Sequence, residues 1–314
     1  MPPAPHKFIF IGVSTQHSTI QMLFPIWAEV LGNPQVVLEG IDLKIHDQRS
    51  AYEDAVSRIR YDPDVIGGLV TAHKVDLYRS AGGLFDFLDP YARMCGEVSN
   101  IIKQEGQLMG YCMDPVYAGL SLDEMLPPDY FGSTGAYVLC FGAGGTARAI
   151  LVHLVEAAAA NPPPAKVIMV ERLPDRLQEI EDLIAQLGTS IQVELVQNED
   201  PQTNDRLMAS LPDHSLVINA TGMGKDAPGS PLTGAGLFPR DGIAWEINYR
   251  GELDFKHQAL SQEEIRALRV EDGWRYFLHG WSLTLAQAFH VDLTPTLFDH
   301  LDHLARPFAP SGPP

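Results

Sequence analysis

The chain has 314 residues, which is long enough for two domains that each bury a core. Asp and Glu total 40 against 22 Lys and Arg, and the net charge of −18 disfavours nucleic acid and anionic membranes as partners. The three cysteines lack the CxxC spacing of zinc and redox sites, and no apolar run reaches the roughly 18 residues of a membrane span. We therefore expect a cytoplasmic protein without bound metal, either a monomer or a homodimer.

The first segment alternates strands and helices. Residues 7–14 form an apolar, β-branched run that predicts a strand, and residues 19–32 have apolar side chains at helical spacing. A strand is predicted at 36–45, a helix at 50–62 and another strand at 65–72. Such alternation predicts a parallel sheet covered by helices on both faces.

A second alternating block follows the loop-rich stretch 126–135. Its predicted elements are a strand at 136–145, a helix at 146–160, a strand at 166–171, a helix at 175–188, strands at 190–196, 215–221 and 243–249, and helices at 282–291 and 293–308. We predict a two-domain α/β chain. The first domain covers residues 1–125, the second covers 126–282, and the closing helices of 283–314 return to the first domain.

A glycine motif marks the second domain as a nucleotide-binding domain. Gly142, Gly144 and Ala147 form a GxGxxA pattern between a predicted strand and a predicted helix. Gly142 permits the tight turn, and Gly144 lets the backbone approach a pyrophosphate at the positive end of the helix. The pattern in this context predicts a Rossmann domain.

The next predicted strand ends at Glu171, 24 residues after Ala147. An acidic side chain at this position accepts hydrogen bonds from the ribose hydroxyls and repels the 2′-phosphate of NADP, so NAD is the preferred cofactor. Arg172 and Arg176 follow directly, and an arginine can stack on adenine or pair with a 2′-phosphate. NADP therefore stays open as the alternative.

Eight short motifs occur between His17 and Phe289. They are, in chain order, HS, VTAHK, CGEVSNII, GYCMD, FGAGGTARAI, VINATGMG, EINY and LAQAF. In this order they resemble the shikimate and quinate dehydrogenase family over nearly the whole chain. The resemblance implies an amino-terminal substrate domain, a Rossmann cofactor domain and a last helix that returns to the first domain. It also implies hydride transfer between a nicotinamide and the carbon bearing a ring hydroxyl of a cyclic polyhydroxy carboxylic acid.

By this resemblance Lys74 is the catalytic lysine and Asp114 is its partner. Oxidation of a secondary alcohol requires a group that takes the hydroxyl proton. Lysine can do so when its pKa lies nearer neutrality than the ordinary value of about 10.4. His73 is the competing acid or base at neutral pH, and we assign it to packing instead.

The resemblance also implies two sets of binding residues. The predicted substrate-binding residues are Ser18, Thr71, Ser99, Asn100, Tyr249 and Gln287. The predicted cofactor-binding residues are Gly142, Ala143, Gly144, Gly145, Thr146, Ala147, Glu171, Arg172, Asn219, Thr221, Met223 and Gly280.

Several recognition positions depart from the usual family pattern. They include Ile20, where a second serine is usual, and Gly68, Ser99 and Cys112. The stretch LVTAHK is one residue shorter than the usual NVTxPxK, and Glu97 adds a carboxylate near the predicted site. These departures predict a substrate that differs from shikimate or a range that is broader.

We expect an NAD(P)-dependent dehydrogenase that acts on shikimate, quinate or a related cyclic hydroxy acid. The alternative is a catalytically silent regulatory protein that binds a nucleotide or ligand on the same fold. Lys74 together with Asp114 favours the enzyme, because a sensor has no need of a proton carrier. A third interpretation, a tetrahydrofolate or amino acid dehydrogenase, is opposed by the order of VTAHK and Asp114 and by the LAQAF helix.

Overall fold

The computed structural model describes residues 6–309. The stretches 1–5 and 310–314, in which the predicted first domain begins and ends, lie outside the described residues. The chain divides into two compact units, one formed by the residues up to Asp114 and from Leu278 onward, the other by Pro115 to Phe277. Within residues 6–309, no helix is both long enough and apolar enough to cross a membrane.

The strands and helices follow the predicted alternation. The strands are β1 (Lys7–Gly12), β2 (Val37–Asp42), β3 (Val65–Val70), β4 (Phe87–Leu88), β5 (Asn100–Gln104), β6 (Gln107–Tyr111), β7 (Tyr137–Phe141), β8 (Lys166–Glu171), β9 (Val193–Gln197), β10 (Leu216–Asn219), β11 (Ile243–Glu246) and β12 (Arg269–Glu271). The α-helices are α1 (Ile20–Val30), α2 (Arg49–Tyr61), α3 (Lys74–Ala81), α4 (Pro90–Cys95), α5 (Asp114–Met125), α6 (Tyr130–Thr134), α7 (Gly145–Ala157), α8 (Pro174–Leu187), α9 (Pro201–Ala209), α10 (Asp254–Leu260), α11 (Glu263–Arg266), α12 (Trp274–Ala288) and α13 (Pro295–Ala305).

The sheet of the first unit has the strand order β2-β1-β3-β5-β6-β4. Strands β1, β2 and β3 are parallel, as are β4 and β6, whereas β5 is antiparallel to both β3 and β6. The hairpin of β5 and β6 was not predicted. It returns the chain to the edge of the sheet at which β3 ends, and so brings the start of α5 near the start of α3.

The closing helix α13 packs on α1 within the first unit. The indole Nε1 of Trp27, which is fully buried, donates a hydrogen bond of 3.2 Å to the backbone oxygen of Leu301. The apolar side chains of Phe298 and Leu301 in α13 are buried. The predicted return of the last helices to the first domain is confirmed.

The sheet of the second unit is entirely parallel, with the strand order β12-β11-β10-β7-β8-β9. Its inner strands β7, β8 and β10 are mostly apolar and buried, as expected for strands covered by helices on each side. The core on one face includes Leu139, Phe141, Val170, Val217 and Phe238. This is the predicted α/β fold, and its strand order changes direction beside β7, where the glycine motif lies.

Candidate active site

The central feature of the first unit is an ion pair between Lys74 and Asp114. Lys74 is the first residue of α3, and Asp114 is the first residue of α5. The ammonium Nζ donates a hydrogen bond to Asp114 Oδ1. The Asp114 side chain is fully buried, whereas the Lys74 side chain keeps 18% of its surface exposed. The pair therefore joins a partly exposed lysine side chain to a buried carboxylate.

The surroundings of Lys74 set its protonation. Burial acts to lower the pKa of Lys74, but the carboxylates of Asp114 and Glu97 outweigh it, so the pKa is raised above the ordinary value. In the protein alone the side chain is an ammonium at neutral pH. It is therefore prepared to donate a proton to an alkoxide, and it must lose a proton before it can accept one.

The backbone ahead of Lys74 is strained. Ala72 has a φ of +61°, in the left-handed region that L side chains rarely adopt. The His73 N–H donates to the Thr71 oxygen over 2.6 Å, which closes a tight turn between β3 and α3. This turn lies where LVTAHK is one residue shorter than the usual NVTxPxK, and it still places Lys74 at the start of a helix.

His73 lies inside the first unit and not at its surface. The imidazole is fully buried, with its Nδ1 3.5 Å from the Tyr52 hydroxyl and the two ring centroids 5.8 Å apart. Burial lowers the pKa of His73, against the opposing effect of nearby backbone oxygens and of Asp76. A neutral, enclosed imidazole fits the packing role that we assigned to it.

Of the residues predicted to bind substrate, Asn100 and Gln287 lie in contact, and Ser99 precedes Asn100 in the chain. The Asn100 side-chain amide donates to Gln287 Oε1 over 3.4 Å, and Gln287 is half-buried. The Ser99 hydroxyl is committed to the backbone, because it donates to the Tyr111 oxygen over 3.3 Å and accepts from the Met113 N–H over 2.9 Å. Ser99 therefore anchors the chain between β6 and α5.

The remaining predicted substrate residues of the first unit lie beyond β1 and β3. Ser18 is buried and follows a short 3-10 turn, and Thr71 is half-buried with its hydroxyl 3.5 Å from the Ile11 oxygen. Ile20 is fully buried in α1, so this position contributes packing and no hydrogen bond. At Gly68, an added Cβ would lie 2.8 Å from the Ile9 oxygen, so the strand pairing excludes a side chain there.

In the second unit a pocket of about 580 Å³ lies beside the glycine motif. Gly142 has a φ of +100°, and an added Cβ would lie 2.9 Å from the Ala220 oxygen, so only glycine fits this turn. Gly144 precedes the first turn of α7, whose free N–H groups favour an anion. Six of the predicted cofactor residues line the pocket: Gly142, Gly144, Glu171, Arg172, Thr221 and Met223.

Glu171 is buried at the end of β8, with its carboxylate held by three backbone donors. Oε2 accepts from the Ala143 N–H over 3.1 Å, and Oε1 accepts from Arg172 and Leu173 over 2.8 and 3.1 Å. Arg172 is exposed and Arg176 is half-buried. The pocket thus has one fixed carboxylate beside the glycine turn and two guanidinium groups on its rim.

A buried amide and carboxylate network supports the loop at the end of β10. Asn219 donates to Glu246 over 2.7 Å and accepts from the Thr221 hydroxyl over 2.6 Å. Asn248 also donates to Glu246, over 2.7 Å, and to the Met223 oxygen over 3.3 Å. Glu246 and Asn248 were missed by the sequence prediction, although a carboxylate in the apolar strand IAWE was a signal that it needs buried partners.

Four other predicted cofactor residues build the turn and the first turn of α7 without lining the pocket: Ala143, Gly145, Thr146 and Ala147. Gly280 lies inside α12, where its oxygen accepts from the Thr284 hydroxyl over 2.6 Å. Tyr249 belongs to the second unit and packs against the rings of Trp274 and Phe277. The roles assigned to these residues stay predictions.

No protein-family model matches the chain. The shikimate dehydrogenase (NADP(+)) of Symbiobacterium thermophilum is 30% identical over 217 residues, which cover 67% of this chain and 68% of that enzyme. The enzyme of the same name from Methylobacterium radiotolerans is 26% identical over 277 residues, 88% of each chain.

Solved structures share the fold. Shikimate dehydrogenase from Aquifex aeolicus has a TM-score of 0.71 at 18% identity, covering 96% of this chain and 99% of that one. Quinate dehydrogenase from Corynebacterium glutamicum, in complex with NAD, has a TM-score of 0.68 at 19% identity, covering 96% and 98%.

The chain belongs to the shikimate dehydrogenase family. The resemblance seen in the eight motifs is thereby confirmed, as is the expectation of a dehydrogenase enzyme with the two-domain α/β fold.

Proposed function

We propose that the chain catalyses the reversible oxidation of a ring hydroxyl of shikimate, quinate or a related cyclic hydroxy carboxylic acid. The observation that carries this proposal is the ion pair of Lys74 with the buried Asp114. Relatives with the name shikimate dehydrogenase support the substrate class. The first unit is the substrate domain in this proposal, and the second unit, with its glycine turn, is the cofactor domain.

A nicotinamide dinucleotide, when bound, supplies the two-electron acceptor for the hydride. In the oxidation, Lys74 Nζ in its amine form takes the hydroxyl proton while the carbon loses its hydride, which leaves a ketone and an ammonium. In the reverse direction the ammonium returns the proton to the developing alkoxide. Asp114 holds Nζ in place in both protonation states and stabilises the ammonium.

Substrate recognition is assigned to polar side chains of the first unit. Gln287, paired with Asn100, offers both a donor and an acceptor for ring hydroxyls. Ser18 is the proposed contact for the carboxylate. Ser99 is assigned to structure, since its hydroxyl already has a donor and an acceptor in the backbone. The lost serine at Ile20 supports a weaker or altered recognition of the carboxylate.

NAD is the proposed cofactor over NADP. Glu171 is buried, and three backbone N–H groups fix its negative charge beside the glycine turn, where it disfavours a 2′-phosphate. The cationic side chains on the rim are more exposed, so solvent screens their attraction for a phosphate. The names of the relatives support NADP instead, so the ratio of activities with the two cofactors is a direct test.

The test is a screen of the purified protein against shikimate, quinate and other cyclic hydroxy acids with NAD and NADP, followed by absorbance of the reduced nicotinamide. Lys74→Ala should abolish turnover. Lys103→Ala is the matched control, because this lysine of the same unit contacts only the Asp62 backbone oxygen among the contacts described. Turnover that survives in Lys74→Ala would contradict the proposed role.

The silent regulatory protein gives a different pattern in the same screen. It predicts that shikimate, quinate or NAD raises the melting temperature without any turnover by the wild type. Retention of the Lys74 and Asp114 pair favours the enzyme.

A further inference from the structure

Glu97 lies in a buried cluster beside the Lys74 and Asp114 pair. It follows α4 in the chain, and its side chain is fully buried, as are those of Cys112 and Asp114. One polar atom from each of Glu97, Cys112 and Asp114 lies within 4.8 Å of the others. Glu97 therefore places a second buried carboxylate within 4.8 Å of Asp114, which accepts a hydrogen bond from Lys74 Nζ.

The thiol of Cys112 holds Glu97 in this position. Cys112 Sγ donates to Glu97 Oε1 over 3.1 Å. A hydrogen bond with Cys95, burial and the charge of Glu97 raise the pKa of Cys112, so the thiol keeps its proton and remains a donor. The backbone is fixed as well, because the N–H groups of Cys112 and Ala92 both donate to Asp89 Oδ1, over 3.1 and 2.7 Å.

Charge complementarity links Glu97 to Lys74. A buried carboxylate is costly unless a positive charge or several donors compensate it. Lys74 is the cation on which Glu97 acts, since Glu97 is the second carboxylate, after Asp114, that raises the pKa of Lys74. Asp114 from α5 contacts the ammonium directly, and the charges of Glu97, from the loop after α4, and of Cys112, which follows β6, also act to raise the pKa of Lys74.

We infer that Glu97 is a positioning residue for Lys74: with Asp114 it forms a two-carboxylate cradle that keeps the ammonium in place, and the Cys112 thiol fixes the second carboxylate. This inference rests on the proposed function, in which Lys74 carries the proton. Its consequence is that oxidation of the alcohol requires a higher pH in this protein than in a variant with Asp114 alone. The reduction, which uses the ammonium as donor, is favoured around neutral pH.

The first test measures the titration of Lys74 without any need for turnover. Competitive acetylation by acetic anhydride at a series of pH values, quantified by mass spectrometry, gives the midpoint for Lys74. We expect Glu97→Gln to lower this midpoint by about one pH unit, because an opposite charge at this range has been removed. Glu97→Asp, which keeps the charge, should retain most of the wild-type value. A midpoint in Glu97→Gln equal to that of the wild type would overturn the inference.

Asp89→Asn is the matched control. Asp89 is also a buried carboxylate near Cys112, but it caps α4 and is not among the groups that act on Lys74. The Asp89→Asn variant should leave the acetylation midpoint of Lys74 unchanged. If this variant shifts the midpoint as much as Glu97→Gln does, then the loss of any nearby buried charge lowers the pKa of Lys74, and the specific role of Glu97 is contradicted. If Glu97→Gln does not fold, Cys112→Ala removes the thiol donor instead and should lower the midpoint in the same direction.

The second test uses activity with shikimate and NAD. The acidic limb of kcat/KM against pH should move to lower pH in Glu97→Gln, in step with the acetylation midpoint. If acetylation shifts while Lys74→Ala keeps full activity, the proposed proton carrier is wrong and the cradle stands. If Lys74→Ala is inactive while Glu97→Gln has wild-type acetylation and pH profiles, the cradle is wrong and the proposed function stands.

Discussion

The Asn219 side-chain amide donates a hydrogen bond of 2.7 Å to the Glu246 carboxylate, and neither side chain is exposed to solvent. Asn219 also accepts from Thr221, which lines the pocket beside the glycine turn. Through these contacts a buried carboxylate at the end of β11 supports the loop after β10. The stability of the second unit should therefore depend on the protonation of Glu246.

Because of Glu246, the free energy of unfolding should decrease as the pH rises. Burial raises the pKa of Glu246 from 4.5 to about 7, against the opposing effect of its hydrogen bonds from Asn248 and Asn219. Between these values the folded protein keeps a proton that the unfolded chain has lost, so this group's contribution to the free energy of unfolding falls as pH rises from about 4.5 to 7. The loss is at most about 3 kcal/mol.

The measurement compares urea unfolding of the wild type and of Glu246→Gln at pH 5 and pH 8. Glutamine cannot ionise, so the variant lacks this contribution to the change in the free energy of unfolding with pH. The wild type should be more stable relative to the variant at pH 5 than at pH 8. Parallel changes in the two proteins would contradict the role of Glu246.

The strained turn before Lys74 gives a prediction for stability. Ala72 is exposed with a φ of +61°. A larger side chain has space there, so the effect of a substitution on stability depends on the backbone conformation alone. Ala72→Gly should stay within about 1 kcal/mol of the wild type, because relief of strain offsets the flexibility of glycine. Ala72→Val should lower the free energy of unfolding by about 2 kcal/mol. Equal stability of the two variants in urea would show that the turn is not strained.

Substitutions of Ser99 and Gln287 should affect different properties: the first should lower the stability of the protein, and the second should weaken substrate binding. Ser99→Ala leaves the Met113 N–H without its acceptor, so we expect a loss of about 1 to 3 kcal/mol in stability. Gln287→Ala should instead raise KM for the substrate about tenfold with little change in stability. Urea unfolding and steady-state kinetics on both variants check this. The reverse assignment of effects would show that Ser99 contacts the substrate.

Glu171 should control the choice between cofactors. Glu171→Ser removes the fixed negative charge beside the glycine turn, so the ratio of kcat/KM for NADP over NAD should rise about tenfold or more. Arg172→Ala is the opposing control, because loss of a rim cation should lower the same ratio. An unchanged ratio in Glu171→Ser would show that this carboxylate does not meet the ribose.

Much of the fold could be predicted from periodicity. The apolar runs that became β7 and β8, and the glycine turn between β7 and α7, have strong local signals. The hairpin of β5 and β6 could not be predicted in the same way, because an apolar strand carries no mark of the direction of its neighbour. Its antiparallel course depends on pairing with β3, which is distant in sequence.

The candidate site, too, could be predicted only in part from the sequence. The motifs place Lys74 and Asp114 at the starts of two helices, but their contact depends on a sheet that joins residues 40 positions apart. The commitment of the Ser99 hydroxyl to Met113 and the contact of Cys112 with Glu97 also arise from that hairpin. No periodic pattern signals such contacts, since each depends on the register of β5 on β6.

The proton-carrying role of Lys74 is tested most directly by chemical rescue. Lys74→Ala should lose nearly all turnover of shikimate or quinate with NAD, and added ethylamine should restore part of it by supplying the missing amine next to Asp114. Asp114→Ala in the Lys74→Ala background should abolish that rescue, because nothing then holds the amine. A Lys74→Ala variant that keeps wild-type kcat/KM without ethylamine would show that this lysine does not carry the proton.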